Sequence, residues 1–231
     1  MVTIKNVAVV GAVGALGEPV LNALIASSKF NLSVLTRSAS KSTYPSSVRV
    51  IPTDFESLDA LTAALVSQDT LVSTIGTDGL LGQSLIIDAA IAAGVKCILP
   101  SEFGSDLTIP ETAALPVFGY KVAVCKHIEE RVSNGAEITY TYIVNGPFLD
   151  WGVAHNFIIN WSDGKPPLFD GGERPFSTTS LATIGTAVVA VLTKRQRTEV
   201  IKPEMKLEPV TVSLADIRKS AYEELANGDY P

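Results

Sequence analysis

The sequence contains few of the residues that build disulfide frameworks, metal sites or nucleic-acid surfaces. Among 231 residues there are two cysteines, Cys97 and Cys125, and two histidines. Two cysteines without a secretory leader are expected to be free thiols of a reducing compartment, so the predicted location is cytoplasmic. His127 and Cys125 do not share a helix face, so no metal site is expected. The net charge of −6 leaves no excess of Lys and Arg to neutralise phosphates, so no nucleic-acid partner is expected.

Long apolar runs are also missing. No run approaches the roughly 18 residues that cross a bilayer, so no membrane association is expected. Hydrophobic residues make up 46% of the chain and charged residues 18%, a balance that excludes disordered and collagen-like chains. The composition therefore predicts a globular protein, and the length suggests one large domain or a domain and a half.

Two kinds of segment alternate over the first 148 residues. Short β-branched apolar runs are followed by longer runs with helical spacing, which is typical of βαβ units. This pattern predicts an α/β fold, a doubly wound parallel sheet of the Rossmann type, over residues 1–148. The remainder, 149–231, is predicted to be a smaller substrate-binding region. Because the predicted strands are apolar on both faces, they are expected to be buried. The predicted strands are Asn6–Val10, Leu32–Thr36, Val48–Ile51, Thr70–Ile75, Lys96–Leu99 and Ile138–Val144. The predicted helices are Leu16–Ser27, Leu58–Leu65, Leu81–Ala93, Val117–Asn134, Leu181–Leu192 and a last one from Ser213 to Ala226.

A glycine-rich loop joins the first predicted strand to the first predicted helix. It reads Gly11-Ala-Val-Gly14-Ala15-Leu16-Gly17. Gly11 permits the turn, Gly14 lets the main chain approach a pyrophosphate, and Gly17 lets the helix pack closely on the strand. The helix N-terminus then presents free N–H groups to an anion. The loop is predicted to bind a dinucleotide, and a glycine-rich turn without a ligand is the alternative.

The end of the second predicted strand indicates which dinucleotide is bound. It carries Arg37, where NAD enzymes usually carry Asp or Glu. A guanidinium can pair with the 2′-phosphate of NADP, which a carboxylate would repel. NADP(H) is therefore the predicted cofactor, with Lys41 as a second positive charge near Arg37. A solvated surface position is the alternative for each of the two.

Several segments together resemble one family. They are the glycine loop, Leu35-Thr-Arg37, Leu99-Pro-Ser-Glu-Phe-Gly104, Lys121 in the following predicted helix, Asn145-Gly-Pro-Phe148 and the stretch from Phe176 to Gly185. On these residues most of the chain resembles the NmrA-like and isoflavone-reductase-like group of atypical short-chain dehydrogenases. The resemblance implies NADPH-dependent reduction of aromatic or quinone-methide-like small molecules. The group also contains members that bind the dinucleotide without turning it over.

Lys121 is the residue predicted to take part in proton transfer. Ordinary short-chain dehydrogenases use a Tyr with a Lys four residues later, and none of the six tyrosines here has one. A partly desolvated lysine near a nicotinamide can have its pKa lowered toward neutrality. The resemblance implies that Lys121 is the general acid/base or a contact to the cofactor, and both roles stay open. Lys126 lies about 140° further round the helix and is expected to face elsewhere.

Other site residues are predicted from their positions just past the ends of parallel strands, where ligands bind in α/β sheets. Glu102 is interpreted there as a capping residue for the next segment. The predicted cofactor contacts are Gly76, Thr77, Ser101, Phe103, Asn145 and Pro147. Aromatic residues that follow suit a flat apolar substrate. The predicted substrate contacts are Phe148, Trp151 and His155.

Three functions are compatible with these residues. The first is an NADPH-dependent reductase of a small aromatic or secondary-metabolite substrate, in which Lys121 handles the proton. The second is a regulatory protein that senses NADP(H) without turnover, because fold does not fix function. The third is a non-redox isomerase or cyclase on the same fold. A homodimer is left open as the assembly. The region after Pro147 is short for the family that it resembles, so a substrate lid around Lys194 to Pro209 is expected to be reduced or missing.

Overall fold

The fold is built on a parallel β-sheet. The computed structural model describes residues 4–160 and 175–194, apart from the side chains of Asp78 and Lys194. The strands in these residues are β1 (Asn6–Val10), β2 (Asn31–Arg37), β3 (Val48–Thr53), β4 (Thr70–Ser73), β5 (Cys97–Leu99) and β6 (Thr139–Tyr140). All pair in parallel in the order β3-β2-β1-β4-β5-β6. The order reverses between β1 and β4, which creates a crevice at that point.

Helices cover both faces of the sheet. Their bounds are α1 (Gly17–Ser27), α2 (Leu58–Leu65), α3 (Gln83–Ala92), α4 (Pro110–Ala113), α5 (Gly119–Ser133), α6 (Leu149–Ala154) and α7 (Leu181–Lys194). Residues of α1 and α7 share one apolar core with the sheet. Residues of α2, α3 and α5 share a second core with its other face. The predicted doubly wound α/β fold is confirmed.

The central strands supply side chains to both cores. Val7 and Val9 of β1 lie in one core, and Ala8 and Val10 lie in the other; none is more than 2% exposed. The expectation that strands are buried on both faces therefore holds at the centre of the sheet. It is wrong for β3, where Arg49, Val50 and Pro52 are exposed. The reason is that β3 is an edge strand and pairs only with β2.

Local signals set several helix ends. The Ser57 side chain accepts a hydrogen bond from the N–H of Ala60 at 3.2 Å and so caps α2. After α5, Asn134 is the C-cap, and Gly135 takes a φ of +93°. The predicted stop at Asn134-Gly135 is confirmed, because glycine adopts this left-handed conformation without strain.

Some predicted features lie outside the described residues. These are the parts of the predicted substrate-binding region within residues 161–174 and from 195 onward, among them most of the segment from Lys194 to Pro209 and the last predicted helix from Ser213 to Ala226. Within the described ranges, no helix is long and apolar enough to cross a membrane. In the same ranges, no three His, Cys, Asp or Glu side chains gather as a metal site.

Candidate cofactor and substrate site

A cavity of about 590 Å³ opens at the carboxyl edge of the sheet, where β1 and β4 diverge. This volume lies within the range of about 300 to 1,000 Å³ that is typical of small-molecule sites. Its wall is formed by the loop after β1, the end of β2 with the following turn, and the residues after β4. The predicted site residues among them are Gly11, Gly14, Arg37, Gly76 and Thr77.

The glycine loop turns sharply from β1 into α1. Gly11 has a φ of +81°, and a Cβ built there would lie 2.7 Å from the carbonyl oxygen of Thr74. A Cβ on Gly17 would overlap the carbonyl oxygen of Gly11, so α1 can approach β1 only through glycine. Gly14 and Ala15 are exposed, whereas Leu16 is 8% exposed and packs in the core. The loop thus exposes main chain at the cavity while Leu16 and Gly17 hold it in place.

The N-terminus of α1 is not capped by a side chain. Its N-cap residue, Leu16, has no side-chain oxygen, and the helix end keeps few free N–H groups. The N–H of Glu18 donates to the carbonyl oxygen of Gly14 at 3.0 Å, that of Val20 donates to the carbonyl oxygen of Leu16 at 3.2 Å, and Pro19 has no N–H. Such a helix end attracts an anion mainly through its dipole. Together with the glycine cradle, this end of the cavity fits the diphosphate of a dinucleotide.

The other end of the cavity carries a free cation. Arg37 is exposed and lines the cavity, and its guanidinium has no hydrogen-bond or ion-pair partner among the residues that the structure describes. Ser40 and Ser42 line the cavity beside it, with their Oγ atoms 3.1 Å apart. These two hydroxyls were not predicted as site residues, although the serines that follow Arg37 in the sequence were a signal that could have indicated them. Lys41 is exposed but is not part of the cavity wall.

Ser101 and Phe103 lie below the rim rather than in the cavity wall. The Ser101 hydroxyl donates to the carbonyl oxygen of Ile75 at 2.8 Å, and its N–H donates to Oε1 of Gln83 at 2.9 Å. Ser101 thereby ties the end of β5 to the residue before Gly76. Phe103 is 5% exposed and belongs to the core beneath α1 and α7.

Lys121 reaches the same edge of the sheet from α5. Its Nζ donates to the carbonyl oxygen of Phe103 at 3.3 Å. The carbonyl oxygen of the next residue, Gly104, accepts from the N–H groups of Asn145 and Gly146 at 3.0 and 2.9 Å. Lys121 and Asn145 are therefore gathered around the segment that follows β5, and Pro147 lies two residues further on. Burial lowers the pKa of Lys121 from its ordinary value, and the nearby Glu102 carboxylate opposes that shift.

Glu102 is not the capping residue that was expected. It is 4% exposed, and no backbone N–H group of the described residues donates to its carboxylate. Burial raises the pKa of Glu102 from 4.5 to about 7, while the charge of Lys121 and the Cys125 thiol offset part of the rise. The physical reason for the correction is that the side chain points inward against α5, a placement that sequence position alone does not reveal.

The predicted substrate residues form an aromatic group after β6. Trp151 and His155 stack with ring centroids 4.3 Å apart, and Phe157 lies 6.2 Å from Trp151. Nδ1 of His155 hydrogen-bonds to the carbonyl oxygen of Trp151 at 2.9 Å, which fixes the imidazole against the indole. Phe148 is partly buried and packs on the core of α1 and α7 instead. Phe157, which is 65% exposed, was not predicted as a site residue.

The sheet order and the glycine loop at its switch point define an α/β protein of the Rossmann type. Within that class, the chain belongs to the NmrA-like family, whose model matches residues 3–214. The resemblance noted from the sequence is thereby confirmed.

Curated relatives include fungal proteins. The chain is 32% identical to oxidoreductase aprR of Aspergillus flavus over 93% of its own length and 72% of that protein's. It is 32% identical to oxidoreductase poxI of Penicillium oxalicum over 78% of its own length and 58% of that protein's. The chain therefore spans little more than half of the second relative.

Solved structures share the fold at lower identity. The structure of AtPrR2 with NADP+ and (+)-pinoresinol has a TM-score of 0.73 and 22% identity, covering 96% of this chain and 77% of that chain. A ternary complex of leucoanthocyanidin reductase from Vitis vinifera has a TM-score of 0.65 and 23% identity, covering 84% of this chain and 65% of that chain.

Proposed function

We propose that the protein is an NADPH-dependent oxidoreductase that reduces a small aromatic substrate, with Lys121 supplying the proton. The observation that carries the proposal is the unpaired Arg37 guanidinium in the same cavity as Gly11 and Gly14 of the glycine loop. One end of this cavity suits a diphosphate, and the other suits a 2′-phosphate. The solved neighbours that contain NADP+ or NADPH support the same choice of cofactor.

The residues divide into those that hold the cofactor and those that support them. The glycine loop holds the diphosphate, and Arg37 with Ser40 and Ser42 holds the 2′-phosphate. Gly76 and Thr77 border the cofactor, while Ser101 fixes the segment that precedes them. When bound, the nicotinamide supplies a hydride, and the chain's part is to orient it and to handle the proton.

Lys121 is the group proposed to handle that proton. It is half-buried at the carboxyl edge of the sheet, and burial lowers its pKa toward the range in which a proton is exchanged easily. The hydrogen bond to the Phe103 carbonyl holds Nζ in place. In this role Lys121 replaces the Tyr–Lys pair that the sequence lacks.

An aromatic substrate is proposed from the group formed by Trp151, His155 and Phe157. Stacked and exposed rings offer a flat apolar surface to a planar ligand. The oxidoreductase names of the fungal relatives, and the pinoresinol in one solved neighbour, are in keeping with such a substrate.

The test begins with binding and continues to turnover. Titration calorimetry should show that the protein binds NADP+ and NADPH more tightly than NAD+ and NADH. A panel of aromatic enones and quinone methides is then incubated with NADPH, and the product mass should increase by two hydrogens. Lys121→Met should abolish turnover and keep NADPH binding, whereas the matched Lys126→Met should keep both. Binding without turnover of any panel member would favour the sensor, and a product of unchanged mass would favour the isomerase.

A further inference from the structure

We propose that Glu102 is a positioning residue that sets the protonation state of Lys121 and returns a proton to it from a second cavity. The inference rests on the proposed function, because it takes Lys121 as the proton donor. Glu102 belongs neither to the glycine loop nor to the wall of the cofactor cavity.

The second cavity has a volume of about 700 Å³ and lies among the loop after β5, helix α5 and strand β6. Glu102 forms part of its wall, although the side chain is only 4% exposed. Its Oε1 is fully buried and has no hydrogen-bond partner among the residues that the structure describes. A buried carboxyl oxygen without a partner is costly and requires an explanation. A proton or a water molecule from the cavity would satisfy it.

The same carboxyl is coupled to Lys121. Lys121 Nζ binds the carbonyl oxygen of Phe103, the residue that follows Glu102. Cys125 lies one helical turn after Lys121 on the same face of α5, and its thiol also interacts with Glu102. Burial lowers the pKa of Lys121 and raises the pKa of Glu102 to about 7, and the charge of each opposes the shift of the other. Burial therefore shifts the two proton affinities towards each other, and the hydrogen bond of Nζ to the residue next to Glu102 places both groups at the segment that follows β5.

The thiol of Cys125 and the phenol of Tyr142, which lie beside Glu102 in the second cavity, keep their protons at neutral pH. Burial raises the pKa of Cys125 to about 12 and raises the pKa of Tyr142 as well. The Tyr142 hydroxyl donates to Oε1 of Glu129 at 3.1 Å, and its ring lies 5.0 Å from that of Tyr140. Asp106 and Lys126 complete the charged wall of the cavity. Neither the thiol nor the phenol competes with Glu102 for the exchange.

The proton balance of one turnover follows from this arrangement. After hydride transfer, the Lys121 ammonium gives a proton to the developing anion of the substrate, so that an N–H bond breaks and the substrate gains its second hydrogen. The neutral amine then takes a proton from the Glu102 carboxyl through a bridging water molecule, because Nζ itself is hydrogen-bonded to the Phe103 carbonyl oxygen and not to the carboxyl. The resulting carboxylate is reprotonated by water from the second cavity. Each turnover consumes one hydride and one proton from solvent.

The first experiment measures the pKa of Lys121 in the protein without cofactor. Competitive labelling with acetic anhydride between about pH 5 and about pH 11, read by peptide mass spectrometry, gives the titration midpoint of this amine. Glu102→Gln removes the charge that favours the ammonium, so the midpoint should fall by at least about half a unit. Asp106→Asn changes a carboxylate of the same cavity to an amide and should leave the midpoint where it is.

A second measurement does not require a Glu102 variant to fold. Infrared difference spectra follow the protonated carboxyl band of the ¹³C-glutamate-labelled protein with pH. The buried carboxyl should titrate near pH 7 in the wild type, and its midpoint should rise in Lys121→Met because coupling is reciprocal. In the wild type, kcat should fall as the pH rises through the midpoint of this carboxyl, because the carboxylate has no proton to return, while KM should stay the same.

The outcomes separate this inference from the proposed function. The inference is overturned if the titration midpoint of Lys121 is the same in Glu102→Gln as in the wild type. It is also overturned if the midpoint of the carboxyl band is the same in Lys121→Met as in the wild type. Both outcomes count against it even when NADPH is oxidised. If both midpoints shift as expected, the coupling is supported, and a failure to bind or oxidise NADPH would count against the proposed function alone.

Discussion

At the scale of single residues, Arg37 is the side chain that we propose selects the cofactor. Its guanidinium is exposed at the cavity and has no ion-pair partner among the described residues, so it can meet a phosphate without breaking another contact. Arg37→Ala should weaken NADP+ binding about tenfold to a hundredfold, since a hydrogen bond to a charged group contributes about 1.5 to 3 kcal/mol. NAD+ has no 2′-phosphate, and its affinity should change little. Titration calorimetry with both nucleotides measures the two effects.

Arg49→Ala is the matched control for this prediction. Arg49 is an exposed arginine on the neighbouring strand β3 and does not line the cavity. Equal losses of NADP+ affinity in the two variants would mean that general charge, and not Arg37, attracts the cofactor.

Glu102 gives a prediction about stability and pH. The pKa of its carboxyl is about 7 in the folded protein, against an ordinary value of 4.5, because the group is buried. The folded state therefore binds the proton more tightly than the unfolded state, so the stability contributed by this group falls as pH rises from about 4.5 to about 7. The amide of Glu102→Gln does not titrate. The free energy of unfolding of Glu102→Gln, taken relative to that of the wild type, should therefore increase by up to about 3 kcal/mol as the pH rises from about 4.5 to about 7.

Urea unfolding at several pH values measures this difference. Glu130→Gln is a suitable control, because Glu130 is exposed on α5 and is not part of the second cavity. A constant gap between Glu102→Gln and the wild type from pH 4.5 to pH 8 would contradict a buried carboxyl with a raised pKa.

The residues that the sequence could place are those fixed by local pattern. Gly11 and Arg37 follow directly from strand ends, and the structure brings both to one cavity. The burial of Ser101 depends on Gln83, and that of Glu102 depends on α5. These contacts join segments distant in the chain, so no local pattern in one sequence could predict them.

At the scale of elements, the same distinction between local patterns and contacts of distant segments explains which predicted helix and strand bounds agree with the structure. β1 and α2 begin and end at the predicted residues, because apolar spacing and the Ser57 cap are local signals. The predicted strand over 138–144 is regular only at Thr139–Tyr140, although Val144 still bridges to Gly104. Its length was not predictable, because β5 beside it offers only three residues for pairing.

Proline and glycine also shift the predicted start of α5. The helix was expected from Val117, but the stretch Pro116–Phe118 forms a separate 3-10 turn and α5 begins at Gly119. Pro116 fits the first turn of a helix, but Phe118, with φ −99° and ψ 0°, departs from helical backbone angles and separates this turn from α5. The short helix α6 was missed, because six residues with Trp151 and Gly152 show no helical period.

The turn between β1 and α1 carries the strongest prediction at this scale. Gly11→Ala places a methyl group 2.7 Å from the Thr74 carbonyl oxygen at a φ of +81°. The left-handed conformation alone costs about 1 to 2 kcal/mol, and the clash adds to it. The variant should therefore lose more than about 2 kcal/mol of stability together with most of its NADP+ affinity.

Gly119→Ala is the control for Gly11→Ala. A Cβ at Gly119 meets nothing within 4 Å, so this change should leave both stability and binding near wild type. Thermal unfolding and calorimetry on the two variants provide the comparison. If Gly11→Ala bound NADP+ as tightly as the wild type, the loop would not be the diphosphate site.

At the scale of the whole molecule, helix α7 joins the later part of the chain to the nucleotide-binding part. Ile184 and Val188 of α7 are fully buried in the same core as Val20 and Leu24 of α1. The predicted division of the chain after residue 148 is therefore not a division between separate cores: residues of α7 pack against α1, the helix that the glycine loop opens.

Gly185 makes that contact possible, and it provides the last prediction. A Cβ there would lie 2.8 Å from the carbonyl oxygen of Pro19 and 2.9 Å from Cβ of Ala23, both on α1. In an isolated helix Gly→Ala would stabilise by about 1 kcal/mol, but overpacking a core costs about 1 to 3 kcal/mol. Gly185→Ala should therefore destabilise the protein in urea unfolding and weaken NADP+ binding by displacing α1, whereas Thr186→Ala, at the exposed neighbouring position, should do neither. A more stable Gly185→Ala variant with wild-type NADP+ affinity would mean that α7 does not position α1 in solution.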